Sequence, residues 1–258
     1  VGALLETISG SGCTPSLFVA GLMVREIEPE LREADERGCE IGAHGWAHCE
    51  DPSEDFRTLS FERQMALLAR TAVVIEACLG SRPRLFRAPN LWLGGDTVRA
   101  LQETGYRIDS SIPSGRVDPP GGRISTSRYL RAPRVPYELS IDDVRRRGHS
   151  GVVEVPLLSA IVPINMMALR LLGSRVLASL STAVARRDGY VIFYCHPAEF
   201  GPRQAFASET VPRRHRYRVG VANLALLRNY IERLRVTGLK ETRIDALAAS
   251  AIGGGASV

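Results

Sequence analysis

Long apolar runs, paired cysteines and aromatic residues are all scarce in this chain, and each scarcity excludes a class of protein. No uninterrupted apolar stretch approaches the roughly 18 residues of a membrane span. The run from Ile161 to Leu180 comes nearest, but Pro163, Asn165, Arg170, Ser174 and Arg175 interrupt it, which fits a bundle-facing or membrane-grazing helix better. The five cysteines, Cys13, Cys39, Cys49, Cys78 and Cys195, form no CxxC pair and are too sparse for a disulfide scaffold, so a reduced, cytoplasmic setting is expected. Aromatics make up 6% of the chain, and the arginine clusters at Arg145, Arg146, Arg147 and at Arg213, Arg214 stand apart from them, which argues against a nucleic-acid partner. These clusters read as solvated surface; the net charge of +5 adds a second expectation, peripheral membrane contact through anionic head groups.

What is present is a chain of 258 residues, 45% hydrophobic, enough for one sizeable core. The expectation is a single domain over residues 1–250 with a disordered tail over 251–258. Apolar periodicity predicts helices over residues 24–37, 61–79, 97–104, 166–186 and 219–234, and Gly38, Gly80 and Gly105 stand at the ends of the first three. Asp96 is placed to cap the third. Short apolar runs predict strands over residues 16–19, 40–43, 85–86, 106–108, 152–155 and 190–194, the last being the most apolar. Residues 111–150, rich in Pro, Gly and Arg, read as a long excursion between core elements. Alternating strands and helices imply a parallel sheet with helices outside; a distorted barrel is preferred to doubly wound packing, because chemically capable residues recur just after the strands.

Three such places stand out. His44-Gly45-Trp46-Ala47-His48 follows a strand, and on a helical turn its two imidazoles would share a face and suit zinc or a similar divalent metal. Solvated loop histidines are the plain alternative, and Glu50, Asp51 and Asp55 are near enough in sequence to complete a metal shell. Phe86-Arg87-Ala88-Pro89-Asn90 leaves another strand with an arginine able to grip a carboxylate by a forked pair of bonds, although an Arg-x-Pro match arises easily in so arginine-rich a chain. Tyr194-Cys195-His196-Pro197-Ala198-Glu199 sets a histidine beside a carboxylate, in reach of a general-acid role or of a merely structural one. Asp109, after the strand at residues 106–108, reads as a turn former or as a group that orients a histidine or arginine.

The order and spacing of these motifs resemble the polysaccharide deacetylase family, the NodB-homology carbohydrate esterases, from the first residue to about Leu234. His44 to His48 looks like the metal-binding His-x-x-x-His motif, Arg87-Ala88-Pro89 resembles the motif whose arginine holds the catalytic aspartate, and His196 takes the place of the final histidine. Residues 85–90, 105–113 and 193–200 are most similar to the branch linked to exopolysaccharide export, with Ala198 where tryptophan is usual. The resemblance implies an α/β, distorted (β/α) barrel fold and a zinc-dependent N-deacetylase acting on an amino sugar of a polysaccharide or lipid-linked glycan. It implies His44 and His48 as metal ligands, His196, Arg87 and Asp109 as catalytic groups, and Trp46, Asn90, Trp92 and Glu199 along the substrate path, all converging on one reaction centre. The family's aspartate pair belongs to a first strand expected upstream of Val1; Asp142-Asp143 comes too late to replace it. Two readings of other kinds stand beside this one: a metal-independent amidohydrolase of the same fold, as in allantoinase-like relatives, and a non-catalytic glycan-binding relative.

Overall fold

The computed structural model describes residues 1–48, 54–117, 126–202 and 218–253. They fall into two compact units: a helical unit of Val1–Thr14 with Leu158–Glu241, and a sheet unit of Pro15–Leu157 with Thr242–Val258.

The sheet unit holds six strands: β1 (Ser16–Val19), β2 (Glu40–Ala43), β3 (Leu85–Phe86), β4 (Ile108–Asp109), β5 (Tyr137–Glu138) and β6 (Val153–Glu154). Their order is β1-β2-β3-β4-β6-β5, parallel throughout except for β5, which runs antiparallel to β6. Helices α2 (Glu28–Glu36), α3 (Phe61–Leu79), α4 (Gly95–Thr104) and α7 (Ile244–Gly253) complete the unit. In α3 the Ser60 side chain accepts from Arg63 N, Gly80 closes the helix at φ 75°, and Leu68, Thr71, Ala72, Ile75 and Cys78 form the buried face at helical spacing. The core runs through fully buried Phe86, whose ring centroid lies 6.0 Å from Phe56 and 5.8 Å from Tyr106. Glu40 ties the end of the chain back to the sheet, accepting from Ile244 N at 2.9 Å and Asp245 N at 2.8 Å at the start of α7.

The helical unit contains α1 (Gly2–Gly10), α5 (Met166–Asp188) and α6 (Ala222–Val236). Asn165 caps α5 by accepting from Ala168 N at 3.0 Å, and Gly173, at φ 77° and ψ 164°, breaks it into two segments. The buried Ser181 and Tyr230 hydroxyls meet at 2.7 Å and join α5 to α6. By length and composition α5 is apolar enough to cross a membrane, with 44% of its most apolar stretch buried inside the protein.

Several elements differ from the sequence expectation. Residues 190–194 are extended but not a strand: Tyr194 makes only an isolated bridge to Asn165, where the partner segment turns into α5. Only Tyr190 of this run is buried, and apolar composition by itself supplies no hydrogen-bonding neighbour. The helix expected over residues 24–37 begins only at Glu28, and α4 is entered through Gly94 rather than capped by Asp96. The excursion over residues 111–150 contributes β5, and α7 was not foreseen. Residues 254–258 of the expected tail lie outside the described residues.

Adjacent strands β4 and β6 bring Asp109 and Glu154 into register, both fully buried. Burial pushes the Asp109 carboxyl above its usual range, and burial followed by the Asp109 charge pushes Glu154 well above it. The folded chain therefore holds a proton here more tightly than the unfolded chain. Stability from this pair is complete below the ordinary carboxylate range and is lost as pH rises through the raised values. Glu154→Gln, which removes that titration, is expected to melt above the wild type at about pH 8 and to converge with it near about pH 4; parallel curves across that range would contradict the assignment.

Candidate metal and hydrolytic site

The histidine turn grows from the end of β2. Ala43 pairs with Phe86 of β3, and beyond that point Arg87 N donates to Ala43 O at 2.9 Å while His44 N donates to Val19 O at 2.9 Å. The strands therefore deliver His44 and Arg87 side by side. His44 Nδ1 lies 2.7 Å from the Arg87 carbonyl. A carbonyl only accepts, so Nδ1 carries the hydrogen, and in the neutral ring Nε2 is the lone-pair nitrogen. The His44 and His48 ring centroids stand 4.7 Å apart.

A turn, not the helical arrangement expected from the spacing, brings these rings together. Gly45 at φ 72° and His48 at φ 56° are both left-handed, which reverses the chain within five residues. Its backbone is spoken for: Gly21 N donates to Gly45 O at 3.0 Å and Leu22 N to Trp46 O at 2.9 Å. Trp46 N and Ala47 N both donate to the carboxylate of buried Glu54. No sequence motif announces Glu54, because an acid that holds backbone N–H groups leaves no spacing signature. Trp46 stacks beneath Arg70, whose guanidinium carbon lies 3.5 Å from the ring centroid, and packs against Gly21, where a Cβ would fall 2.5 Å from the indole. Asp55 is taken up by Arg57, which pairs with it through Nε at 2.8 Å. Cys49, Glu50 and Asp51 lie outside the described residues.

Beneath the turn runs a buried polar ladder along the strand ends. Arg87 donates from Nε to Ser110 O at 2.7 Å and from Nη2 to Ser110 Oγ at 2.8 Å, and its guanidinium lies 4.0 Å over the Phe18 ring. Ser110 Oγ donates onward to Val155 O at 2.9 Å. Ser111 Oγ accepts from Ala88 N at 2.8 Å and donates to Asp109 Oδ1 at 2.6 Å, while Glu154 Oε1 accepts from Ile112 N at 2.9 Å. Asp109 thus sits inside the ladder, between Ser111 and Glu154. A charged residue within Val-Val-Glu-Val is the sequence signal that marks Glu154 as a partner. Asn90 is exposed at φ 57°, and Trp92 is half-buried two residues on.

The helical unit carries the remaining pair. His196 opens the short helix Pro197–Phe200, and its side chain is 62% exposed with Nδ1 3.6 Å from Glu199 Oε2. Glu199 is buried, accepts from His196 N at 2.9 Å, and receives the Arg170 guanidinium at 2.7 Å. Burial alone would raise its pKa; the hydrogen bonds and charges of His196 and Arg170 outweigh burial and hold it below the usual range. The neighbouring Cys195 thiol is pushed up to about 12 by burial, which keeps it protonated and removes it as a nucleophile. A groove of about 630 Å³ between α5 and α6, edged by Arg175, Arg186, Glu232 and Arg233, involves none of the motif residues.

Two imidazoles with one tautomer fixed fit half of a zinc site. Among the described residues no third histidine, cysteine or carboxylate joins them in a group able to hold a metal.

Compared with known proteins, the segment that carries the histidine turn matches a family model. The model of the polysaccharide deacetylase family matches residues 2–108. A peptidoglycan deacetylase-like protein, FGM2, from Gibberella zeae is 29% identical over 114 residues, 43% of this chain and 32% of the relative, so the chain spans about a third of that protein. Solved deacetylase structures share the fold across nearly the whole chain. A Mycobacterium smegmatis protein assigned to the polysaccharide deacetylases superposes with a TM-score of 0.56 at 20% identity, over 94% of this chain and 80% of its own. A family 4 carbohydrate esterase from Streptomyces lividans gives 0.53 at 12%, over 94% and 84%. A family 4 pseudoenzyme from Bacillus anthracis also gives 0.53, at 14% identity over 96% and 59%. The α/β fold is that of the NodB-homology deacetylases, a fold that serves both active enzymes and a pseudoenzyme.

Gly45 offers a direct check on the turn. A Cβ there would stand 2.6 Å from Glu54 Oε1 and 2.9 Å from Pro89 Cγ, at a φ that penalises any side chain. Gly45→Ala is expected to cost about 1–3 kcal/mol in chemical denaturation, and an unchanged midpoint would show that the turn does not hold this conformation.

Proposed function

We propose that this chain acts as an N-deacetylase that hydrolyses the acetamide of an amino sugar in a polysaccharide or lipid-linked glycan. The observation that carries the reading is the His44 ring, pinned through Nδ1 to the Arg87 carbonyl with His48 beside it, within the segment that matches the deacetylase family. In this reading His44, through Nε2, and His48 hold a divalent metal, zinc being the best match to two imidazoles. A divalent metal held there would supply an acidified water and stabilise negative charge developing on the amide oxygen.

The chain's own residues do the rest. Glu54 fixes the turn through two backbone N–H groups, so that neither histidine must be ordered on binding. Arg87, held by Ser110 and stacked on Phe18, keeps its carbonyl on His44 and its guanidinium at the strand ends. Within the helical unit, His196 with the Glu199 carboxylate beside Nδ1 has the makeup of a general acid. Residues 85–90, 105–113 and 193–200 favour the exopolysaccharide-export branch within this reading, and a cytoplasmic or membrane-peripheral location goes with it.

One observation favours a second reading, a glycan-binding relative without hydrolysis: the same fold is found in a family 4 pseudoenzyme. Zinc titration of the full chain and acetate release from N-acetylated chitooligosaccharides separate the two. The deacetylase reading expects about one zinc per chain, lost in the His44→Ala, His48→Ala double variant, with acetate release falling at least about a hundredfold. Saturable chitooligosaccharide binding with no acetate released at any zinc concentration would establish the binding protein instead.

A further inference from the structure

The loop that leaves Arg87 presents an aromatic ring with a cation set against it. After Pro89 the chain passes through Asn90 and Leu91, both at φ 57°, a conformation that costs a leucine about 1–2 kcal/mol. The strain delivers Trp92. Immediately beyond it Leu93 is clamped, its N donating to Tyr129 Oη at 3.0 Å and its carbonyl accepting from the same hydroxyl at 2.9 Å. Tyr129 is fully buried, so the clamp is rigid, and it fixes the residue before it, Arg128, against the residue before Leu93. The Arg128 guanidinium carbon lies 4.2 Å from the Trp92 ring centroid.

Two connections tie this ring to the histidine turn. Pro89, which begins the loop, stands where a Cβ on Gly45 would fall, 2.9 Å from its Cγ. Arg57, 5.8 Å from the Trp92 ring, leaves the segment that Glu54 anchors beneath Trp46 and Ala47. The two arginines differ electrically. Arg57 is neutralised by Asp55, whereas Arg128 is exposed and pairs with no carboxylate among the described residues.

A guanidinium stacked on an indole loses little freedom and keeps its N–H edge directed outward, the geometry that receives a carboxylate through two parallel bonds. An indole beside it offers an apolar wall to the C–H face of a pyranose. We propose that Arg128 and Trp92 form a subsite for the carboxylate of an acidic N-acetylated sugar, so that this chain prefers anionic over neutral amino-sugar ligands. The inference deepens the deacetylase reading and rests on it for the sugar class, while the anion preference is measured separately from hydrolysis.

N-acetylmuramic acid and N-acetylglucosamine, which differ by one carboxylate-bearing group, are the probes, titrated into the full chain by calorimetry. The wild type is expected to bind the acidic sugar about tenfold or more tightly than the neutral one, the worth of one charge-assisted hydrogen-bond pair. Arg128→Gln, at an exposed position, is expected to bring the two affinities together without changing that for the neutral sugar. Arg32→Gln on α2, an equal change of net charge, leaves the ratio intact. Equal affinities in the wild type, binding of neither sugar, or a ratio unchanged by Arg128→Gln overturns the proposal. Acetate release from chitooligosaccharides, measured on the same samples, reports on the deacetylase reading alone: its absence with the binding ratio preserved would sink hydrolysis and leave the subsite standing.

Discussion

A single hydrogen bond, from the His44 imidazole to the Arg87 carbonyl, connects the architecture to the chemistry. It exists because β2 and β3 are parallel and in register at Ala43 and Phe86, so that the residues following each strand emerge together. Parallel strands deliver their C-terminal residues to one edge, and ligands gather there in open α/β sheets for that reason. The bond fixes which nitrogen of His44 carries the hydrogen, which decides whether the other can serve as a ligand. Every functional statement about the pair depends on it.

The edge is held by polar rather than apolar means. Arg87, Ser110, Ser111, Asp109 and Glu154 form a buried ladder across β3, β4 and β6, with Glu54 playing the same part under the turn. Such groups are costly to bury unless their bonds are made, so each holds its neighbours to a narrow geometry. The arrangement is specific at some expense: burial pushes the Glu154 carboxyl beside Asp109 well above its usual range, and left-handed residues recur at His48, Asn90 and Leu91. Strain of this kind concentrates where a site must be preorganised.

How much of this was legible in the sequence follows from which forces have a sequence period. Helix α3 is readable to the residue because its apolar spacing and Gly80 agree, and the first four parallel strands follow from short apolar runs between such helices. Strand β5 was hidden in a stretch rich in Pro and Gly, and α7 in a terminal segment whose start is capped by Glu40, some 200 residues earlier in the chain. Residues 190–194 misled in the other direction, apolar enough for a strand yet paired only at Tyr194. The motif order singles out the histidine pair and Arg87, which the structure sets side by side. The turn that unites the histidines was not, because it depends on Glu54 and on left-handed backbone at His48, neither of which the spacing encodes.

The most direct test of the account is nitrogen-15 NMR of the histidine side chains, recorded before and after addition of zinc. His44 is expected to carry its hydrogen on Nδ1 in the metal-free chain, and zinc to shift His44 Nε2 together with a His48 ring nitrogen. A His44 ring protonated on Nε2, or a zinc response confined to other histidines, would contradict it.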